Sequence, residues 1–261
     1  MISKNRIKLI RSLEQKKHRK ESLLFIAEGH KLVEDLLPAF ECIYIAARKE
    51  WLDSRALDLK LLTGNDTTEI QEVSDNELRK ASLQKNPQDI LAIFRQRPET
   101  ADPYHLLKEQ LCIGLDGVQD PGNLGTIIRI ADWFGIEHIF CSPDTADLYN
   151  PKTVQATMGA MARVHVHYTP LTDLLQSVEK EVPIYGTFLD GKDIYTSELS
   201  SNGLIVMGNE GNGISPDTAS LINRRLFIPN FPAGRSTSES LNVAVATAIT
   251  CAEFRRRDSI S

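Results

Sequence analysis

The sequence predicts an α/β fold with two domains, a small one at the N-terminus and a larger one built on a parallel sheet. The first observation is that, from Leu111 onward, short apolar segments alternate with segments of helix length. This alternation is typical of a parallel sheet with helices on both faces. The second is a shorter α/β pattern before residue 96, followed by a polar stretch with two prolines. A length of 261 residues suits one large domain or two ordinary ones.

The N-terminal domain is predicted to span residues 1–96. Its first 20 residues place Ile7, Ile10 and Leu13 near helical spacing, which predicts a single helix with a narrow apolar stripe. A strand and turn are predicted at 25–29, a helix at 30–37, and further strands at 42–46 and 90–94. Another helix is predicted after Ser74, because Ser74 and Glu77 have the spacing of a capping box.

The C-terminal domain is predicted to span residues 110–261, after a polar, proline-containing linker at 97–109. Its strands are predicted at 111–115, 138–141, 164–167, 184–188, 204–207 and 226–228, and its helices near 123–134, 151–161, 171–180, 216–224 and 241–256. Helices between consecutive strands predict a doubly wound sheet, in which ligands bind beyond the carboxyl ends of the strands.

Composition excludes several classes of protein. The chain is 41% apolar and 25% charged, which is ordinary for a globular protein. No apolar run approaches the roughly 18 residues that span a bilayer, and the charged N-terminus has no signal-peptide core, so we expect neither a membrane partner nor secretion. The four cysteines lie far apart without a CxxC pair, which argues against a zinc site and favours the reducing cytoplasm.

Positive charge is concentrated at the N-terminus, although the net charge of the chain is −5. Residues 1–20 contain eight basic side chains and one acid, Glu14, so this segment is +7 and the remaining chain is −12. The basic residues are Lys4, Arg6, Lys8, Arg11, Lys16, Lys17, Arg19 and Lys20. Such a cationic segment on an acidic body can dock on the phosphate groups of a nucleic acid. The alternative is a solvated helix face or a mobile arm.

A glycine-rich loop, residues 208–215, follows the apolar segment 205–207. The loop contains neither GxGxxG nor GK[ST], and the carboxylate of Glu210 would repel a pyrophosphate at a helix N-terminus. Its glycines let a ligand lie against bare backbone, which suits a neutral adenosine or a cationic ligand. The simpler interpretation is a turn into a helix with Ser215 as N-cap and Pro216 at N1. We expect those two residues to have only that role.

Two further segments place polar residues among apolar ones. Asn242 begins an almost wholly apolar helix. A buried amide without partners costs roughly 1–3 kcal/mol, so we expect Asn242 to bond to a loop, to Glu210 or to a ligand. Asn123 can cap the helix near 123–134. Arg129 lies more than one turn inside that helix, where a cation either pairs with a carboxylate or reaches a charged substrate.

Together these three segments resemble the motifs of the SpoU (TrmH-like) RNA ribose 2′-O-methyltransferases, a family of the SPOUT class. The matching residues, in chain order, are Asn123, Gly125 and Arg129, then Gly208, Glu210, Gly211 and Gly213, then Ser240, Leu241, Asn242 and Val243. The basic N-terminal segment and residues 25–29 are similar, more loosely, to the substrate-binding domain that precedes many members. That domain is a small α/β module related to ribosomal RNA-binding proteins.

The resemblance implies a C-terminal SPOUT α/β domain tied in a deep trefoil knot, against the general rule that chains do not thread loops. It implies S-adenosylmethionine as the cofactor, held by backbone near Thr187, Leu189, Gly208, Ile228 and Leu241. It also implies RNA as a partner, a homodimer formed through the knot region, and no metal ion.

The resemblance further implies methyl transfer to a ribose 2′-hydroxyl, with Arg129, Asn123, Glu210 and Asn242 as the catalytic residues. Arg129 is the residue usually implicated in loss of the hydroxyl proton. Because the pKa of arginine is very high, we interpret Arg129 instead as a cation that orients phosphate and stabilises alkoxide character. The other three residues would position the substrate or support Arg129.

By analogy with members that have such an N-terminal domain, ribosomal RNA is favoured over transfer RNA, and an unstacked nucleotide over a paired one. The alternatives are the same reaction on transfer RNA, and a non-catalytic RNA-binding or assembly factor on this fold. A nucleotide-dependent oxidoreductase is excluded by the missing phosphate loop. One segment departs from the family pattern: Asn230 replaces a methionine, and residues 231–239, where Ser236 and Glu239 have the spacing of a capping box, lengthen the loop.

Overall fold

The computed structural model describes residues 1–55, 67–98, 105–232 and 240–258. Contacts between residues divide the chain into two compact units, of which the first contains Met1–Pro98 and Asp147–Arg163 and the second contains the other described residues. The domain limits at residues 96 and 110 stay predictions. Residues 99–104 of the predicted linker lie outside the described residues, as do residues 233–239 of the lengthened loop and the capping box proposed there.

The first unit is built on a four-stranded sheet. Its strands are β1 (Leu24–Glu28), β2 (Cys42–Ala47), β3 (Glu69–Glu72) and β4 (Ile90–Arg95), in the order β1-β4-β2-β3. Strand β4 runs antiparallel to β1 and β2, and β2 runs parallel to β3. Its helices are Lys4–Ser12, Lys16–Ser22, His30–Leu36, Lys49–Arg55, Asp75–Ala81 and Pro151–Thr157, with a short 3-10 helix at Ala160–Ala162. The capping box predicted at Ser74 and Glu77 is present.

The N-terminal basic segment forms two helices, so the prediction of a single helix over residues 1–20 is wrong. The first helix ends at Ser12 and the second begins at Lys16. The break is stabilised by Arg19, whose guanidinium donates to the carbonyl oxygens of Leu13 at 2.8 Å and Glu14 at 2.7 Å. Carbonyls at a helix end lack partners within the helix, and Arg19 supplies them from the next helix.

The second unit is built on a six-stranded parallel sheet, as the alternation of the sequence predicts. Its strands are β5 (Leu111–Asp116), β6 (His138–Cys141), β7 (His165–Tyr168), β8 (Ile184–Asp193), β9 (Gly203–Gly208) and β10 (Arg224–Phe227), in the order β10-β8-β9-β5-β6-β7, and all neighbours are parallel. Its helices are Leu106–Glu109, Pro121–Trp133, Leu171–Ser177, Pro216–Ala219 and Val243–Asp258. The α/β fold class is confirmed, whereas the trefoil knot stays a prediction.

Two predicted helices end at least four residues earlier in the structure. The helix predicted near 151–161 ends at Thr157, because Met158 and Gly159 have positive φ values of 49° and 90°. Two left-handed residues in succession cannot continue an α-helix. The helix predicted at 216–224 stops after its first turn. Neither change alters the order of strands and helices that the sequence predicts.

The described residues contain no helix that is long and apolar enough to cross a membrane. The four cysteines are buried and form no disulfide. Burial raises the pKa of Cys42, Cys112 and Cys251 to about 12. Because the thiolate is the reactive form of cysteine, these three side chains are inert packing groups at neutral pH.

Three histidines meet at one edge of the parallel sheet, on β6 and β7. The rings of His165 and His167 each stack on His138 with centroids 5.3 Å apart. The His138 Nδ1 atom lies 3.0 Å from His167 Nε2, within hydrogen-bond distance. Burial, and then the neighbouring His138 and His165, lower the pKa of His167 to about 4. Burial also lowers the pKa of His138, so both rings pack as neutral imidazoles at pH 7.

We expect the free energy of unfolding to fall as the pH is lowered from about 6.5 to about 4. In this window His167 binds a proton in the unfolded chain but not in the folded protein, so protons favour unfolding. The stability is fully present above the window, and at about pH 5 the loss from His167 is about 1–2 kcal/mol. Urea unfolding of wild type and His167→Gln at about pH 7.5 and about pH 5 measures it. The same pH dependence in both proteins would contradict the prediction.

Candidate functional site

A cavity of about 480 Å³ lies beyond the carboxyl ends of β9 and β10, beside the middle of β8. Its lining comes from residues 187–189, from residues 207–214 around the glycine-rich loop, from residues 227–228, and from Ser240, Leu241, Val243 and Ala246. This is the edge at which an open parallel sheet binds ligands. The cavity therefore lies where the sequence predicts a ligand site.

All five residues predicted to hold the cofactor line this cavity. They are Thr187, Leu189, Gly208, Ile228 and Leu241. These residues come from four separate chain segments, which are neighbours only because the strands lie side by side in the sheet. The shared lining supports their assignment to one ligand, and that assignment stays a prediction.

One wall of the cavity is a bulge in strand β8. Gly186 pairs with Arg225 and Lys192 pairs with Leu226, so residues 187–191 loop out between two consecutive partners on β10. Bulges of this kind bend a strand and redirect its side chains. Here the bulge carries residues 187–189 into the lining of the cavity.

Arg225 on β10 holds the bulge in place through two contacts. Its guanidinium carbon lies 3.5 Å from the centroid of the Phe188 ring, a cation–π contact. Its Nη2 atom lies 2.6 Å from Asp190 Oδ1, and this hydrogen bond lowers the pKa of Asp190. Phe188 lines the cavity and Arg225 does not, so Arg225 stabilises this wall of the cavity through its contact with Phe188.

Asn209 closes the glycine-rich loop and ties it to the loop after β5. Asn209 and Gly213 exchange two backbone hydrogen bonds of 2.9 Å. The Asn209 side chain accepts from the Gly211 N–H at 2.9 Å and donates to the Gly117 carbonyl oxygen at 2.7 Å. A Cβ atom on Gly208 would lie 2.2 Å from the Gly213 carbonyl carbon, so only glycine fits there. Sequence reasoning missed Asn209, because its partners are set by the tertiary fold.

The helix after this loop begins as predicted, with Ser215 as N-cap and Pro216 in the first turn. The Ser215 hydroxyl donates to Thr218 Oγ1 at 2.9 Å, and the Ser215 N–H donates to Asp116 Oδ2 at 2.8 Å. The second contact also connects this loop to the end of β5. Both contacts are structural, and the second adds a link to β5 to the helix start that the sequence predicts for these two residues.

Three of the four residues predicted to be catalytic form one hydrogen-bonded chain. Asn123 Nδ2 donates to Glu210 Oε1 at 2.8 Å, and Asn242 Nδ2 donates to Asn123 Oδ1 at 3.0 Å. The Asn242 Oδ1 atom accepts from the Ala244 N–H at 3.0 Å, so Asn242 also caps the C-terminal helix. The fold thereby brings together three motifs that the sequence separates by 87 and 119 residues.

Two expectations about these residues are wrong. The N-cap of Pro121–Trp133 is Asp120, whose carboxylate accepts from the Asn123 N–H at 2.8 Å. Asn123 is therefore in the first turn, and its side chain is available for the contacts with Glu210 and Asn242. Asn242 is exposed rather than buried, because it precedes the packed part of its helix. Its side-chain amide donates to Asn123, which is not among the expected partners, namely a loop, Glu210 or a ligand.

Among the described residues, Arg129 neither hydrogen-bonds to this chain of three side chains nor lines the cavity. It is exposed on the same face of its helix as Thr126 and Trp133. The six residues from Asn123 correspond to a rise of about 9 Å along a helix. Within the described ranges of the chain no carboxylate pairs with Arg129. The internal ion pair is thus not seen among the described residues, and contact of Arg129 with a charged substrate stays a prediction.

Arg19 does not belong to an RNA-binding surface, so its assignment to one is wrong. Its side chain is 2% exposed and its Nη2 lies 2.6 Å from Asp147 Oδ2. Its other guanidinium nitrogens also donate to groups of the same unit, so the guanidinium faces the interior of that unit and not solvent. Nothing in the amino-acid pattern distinguishes Arg19 from the exposed basic residues on either side of it.

The other basic residues of the N-terminal segment differ in how far neighbouring groups hold their side chains. Arg6 pairs with Glu69 and lies over the Tyr44 ring, and Arg11 donates to the Lys80 carbonyl oxygen. The lysines are exposed, namely Lys4, Lys8, Lys16, Lys17 and Lys20. RNA contact by these residues stays a prediction, and the lysines are the members best placed for it.

The cavity has the chemistry that S-adenosylmethionine requires. Apolar side chains of β9, β10 and the C-terminal helix offer a surface for a planar base, and the loop 208–213 offers bare backbone. Among the described lining residues Glu210 is the one charged side chain, and its carboxylate suits a cationic ligand rather than a phosphate. In the part of the chain that the structure describes, no cluster of side chains could hold a metal ion.

Two family models match the chain. Residues 110–252 match the SpoU rRNA Methylase family, which is more than half of the chain. The chain belongs to the SpoU rRNA methylase family. Residues 4–92 match the MRM3-like substrate binding domain. The resemblance drawn from the three motifs and from the N-terminal segment is thereby confirmed.

Relatives match almost the whole chain. The 23S rRNA (guanosine(2553)-2′-O)-methyltransferase RlmP of Bacillus subtilis is 30% identical over 254 residues, which is 96% of each chain. A structure of an AdoMet-bound rRNA methyltransferase from Sinorhizobium meliloti is 30% identical with a TM-score of 0.84, over 98% of this chain and 96% of that one. A candidate RNA methyltransferase of the TrmH family from Porphyromonas gingivalis is 40% identical with a TM-score of 0.85, over 98% and 99%.

Proposed function

We propose that this protein is an S-adenosylmethionine-dependent methyltransferase that modifies a ribose 2′-hydroxyl in ribosomal RNA. The observation that supports it most is the hydrogen-bonded chain of Glu210, Asn123 and Asn242 beside a cavity lined by all five predicted cofactor residues. Membership of the SpoU family supports the same reaction, since RlmP of Bacillus subtilis is named as a 23S rRNA 2′-O-methyltransferase.

The cofactor would lie in the cavity of the second unit. Backbone of the loop 208–213 and of the β8 bulge would hold its adenosine and methionyl parts, and Glu210 would attract its positive charge. When bound, it supplies a methyl group attached to a sulfonium sulfur. The AdoMet-bound relative from Sinorhizobium meliloti has the same fold over 98% of this chain, which supports this cofactor.

The protein's own part is to align the ribose oxygen and to assist the loss of its proton. Arg129 would orient a phosphate of the RNA with its planar guanidinium and stabilise negative charge on the 2′-oxygen. It would not accept the proton, because a guanidinium stays protonated in proteins. We assign the proton to solvent water, which reaches the exposed side of this helix.

Asn123, Glu210 and Asn242 would keep the loops around the ribose in one arrangement. Each asparagine amide both donates and accepts, so the chain of contacts fixes the rotamers of all three side chains. A reaction that needs two atoms in line depends on such support, since small displacements lower its rate strongly. The presence of these three residues and Arg129 disfavours a non-catalytic RNA-binding factor.

Mapping of 2′-O-methyl groups tests the proposal. Ribosomal RNA from cells without this protein should lack one methylated ribose, and the purified protein with S-adenosylmethionine should restore it. Isothermal titration should detect binding of the cofactor. Cofactor binding without methyl transfer to any RNA would support the assembly-factor alternative. Methylation of transfer RNA alone would change the assigned substrate from ribosomal RNA to transfer RNA.

We also propose that the enzyme is a homodimer that works in the cytoplasm, where its four free cysteines would stay reduced. Trp133 is 85% exposed at the end of its helix, and Val245 is exposed on the helix packed against it. Large apolar side chains exposed on neighbouring helices are typical of an interface. Sedimentation equilibrium should therefore give twice the chain mass of 29.2 kDa. A mass of one chain would refute the dimer.

Replacing Arg225 with alanine should weaken the binding of S-adenosylmethionine about fivefold. The variant loses both contacts that hold the β8 bulge, with Phe188 and with Asp190, and the cavity wall becomes looser. The effect is modest because contacts at a protein surface are individually weak. Isothermal titration measures the affinity, and the turnover at saturating cofactor should change little.

The matched control for this variant is Arg224→Ala. Arg224 precedes Arg225 on β10, so its side chain points to the opposite face of the sheet. It is exposed, and in the described part of the chain it has no ion pair. We expect its removal to leave the cofactor affinity unchanged. An equal loss of affinity in both variants would mean that general surface charge, rather than the bulge, sets the affinity.

A further inference from the structure

The first unit contains a second cavity, and this one is polar. It has a volume of about 330 Å³ and lies between the helix Asp75–Ala81 and the loop 84–88, with Arg48 as a third wall. Its lining is polar or charged apart from Leu78 and Pro87. The volume is at the lower end of the range for ligand sites, about 300–1,000 Å³.

Two cations of this cavity are available for an anion. Arg79 and Lys85 are exposed, and within the described stretches of the chain neither pairs with a carboxylate. Arg48, by contrast, is held by Asp75 at 2.6 Å and by Asp89 at 3.2 Å. The cavity therefore has a net positive charge, which no described group of this unit neutralises.

A buried carboxylate holds the loop 84–88, which forms one wall of the cavity. Glu28 is 5% exposed and accepts from the Ser82 hydroxyl and from the backbone N–H of Leu83 at 2.9 Å. The Gln84 N–H donates to the Ser82 hydroxyl oxygen at 2.9 Å and extends this network. Buried hydrogen-bonded networks are rigid, so the side chains of residues 84–88 are presented by a preformed loop.

We propose that this cavity binds one unpaired nucleotide of the RNA substrate. Arg79 and Lys85 would contact its phosphates, and the amides of Asn86 and Gln88 would face its base. The inference rests on the proposed function, because it assigns part of the recognition of that RNA to the first unit. This unit includes the residues that match the MRM3-like substrate binding domain.

The chemistry of the walls favours an unpaired nucleotide over other ligands. Amide side chains both donate and accept hydrogen bonds, as the edges of RNA bases do. A concave site admits a base that is splayed out of a loop, whereas the wide minor groove of an RNA duplex needs a flat or convex surface. The small apolar area disfavours a lipid or an apolar peptide. Cations beside these amides complete the requirements for a phosphate and its base.

Filter binding to ribosomal RNA from cells that lack this protein tests the proposal, with Arg79→Ala, Lys85→Ala and the double variant. The double variant should weaken RNA binding about tenfold or more, because hydrogen bonds to charged groups are among the strong ones. The slope of log Kd against log salt should fall by about 0.7 for each phosphate contact removed. Methylation should then show a raised KM for RNA with little change in kcat.

The matched control is Arg95→Ala, which removes one exposed positive charge from the other end of the same sheet. Arg95 ends β4, whereas the cavity loop precedes the start of β4, and Arg95 pairs with Glu41. Its removal should leave the salt slope unchanged. If the double variant binds RNA as Arg95→Ala does, the subsite is wrong while the proposed function stands. If wild type neither binds nor methylates this RNA, both are wrong. Urea unfolding followed by circular dichroism shows that each variant is folded.

Discussion

Replacing Arg129 with alanine should reduce methyl transfer at least about 100-fold, while the affinity for S-adenosylmethionine stays within about twofold. The rate falls because the guanidinium would stabilise charge that develops on the ribose oxygen, and one such donor typically contributes a factor of about 100–1,000. Cofactor affinity survives because Arg129 does not line the cavity. Its exposed side chain also makes no ion pair among the described residues, so its removal leaves no buried partner behind.

Single-turnover methylation and isothermal titration, applied to the same variants, measure the two quantities separately. Arg129→Lys keeps the charge but loses the planar fork, and we expect it to recover part of the rate. Thr126→Ala is the control, since Thr126 lies one turn earlier on the same exposed face and its hydroxyl, among the described residues, bonds only to the Gly122 carbonyl oxygen. A parallel loss of rate and cofactor affinity in Arg129→Ala would assign Arg129 a structural role and remove it from the mechanism.

The strands of the second unit could be predicted because buried parallel strands are short, nearly continuous apolar runs. All six predicted strands are present, and the site lies at their carboxyl ends, where a doubly wound sheet binds ligands. The chemistry of the glycine-rich loop could also be narrowed, because Glu210 is incompatible with a pyrophosphate. The identity of the cofactor, by contrast, came only from the resemblance between motifs and not from any periodicity.

The contacts that assemble the site could not be predicted, since they join residues that are distant in the sequence. Asn209 looks like one polar residue among glycines, yet it connects two loops. The bulge in β8 depends on how β10 pairs with it, and the polar residues after Leu189 gave no reason to extend that strand to Asp193. The prediction of Asn123 as N-cap is wrong because Asp120, three residues earlier, is an equally good capping residue. The sequence alone does not decide between the two.

Arg19→Ala should lower the free energy of unfolding by about 3–4 kcal/mol, the largest effect on stability that we expect from a single basic residue here. The side chain is buried, and its guanidinium donates to Asp147 Oδ2 at 2.6 Å and 3.2 Å. It donates as well to the carbonyl oxygens of Leu13 and Glu14. Alanine would leave a mostly buried carboxylate and two carbonyl oxygens without these partners, and burying unpaired groups is expensive.

Urea unfolding of Arg19→Ala, compared with Lys20→Ala, separates a structural role from RNA contact. Lys20 is the next residue and is exposed, so its removal should change the stability by less than about 0.5 kcal/mol. Asp147→Asn should itself be destabilising, but combined with Arg19→Met it should cost less than the sum of the single changes, because the uncompensated charge is gone. If Arg19→Ala instead kept its stability and lost only RNA affinity, the burial of this arginine would not be what holds the two N-terminal helices together. A basic segment therefore contains residues with opposite roles, and the direction in which each side chain leaves its helix decides which role it has.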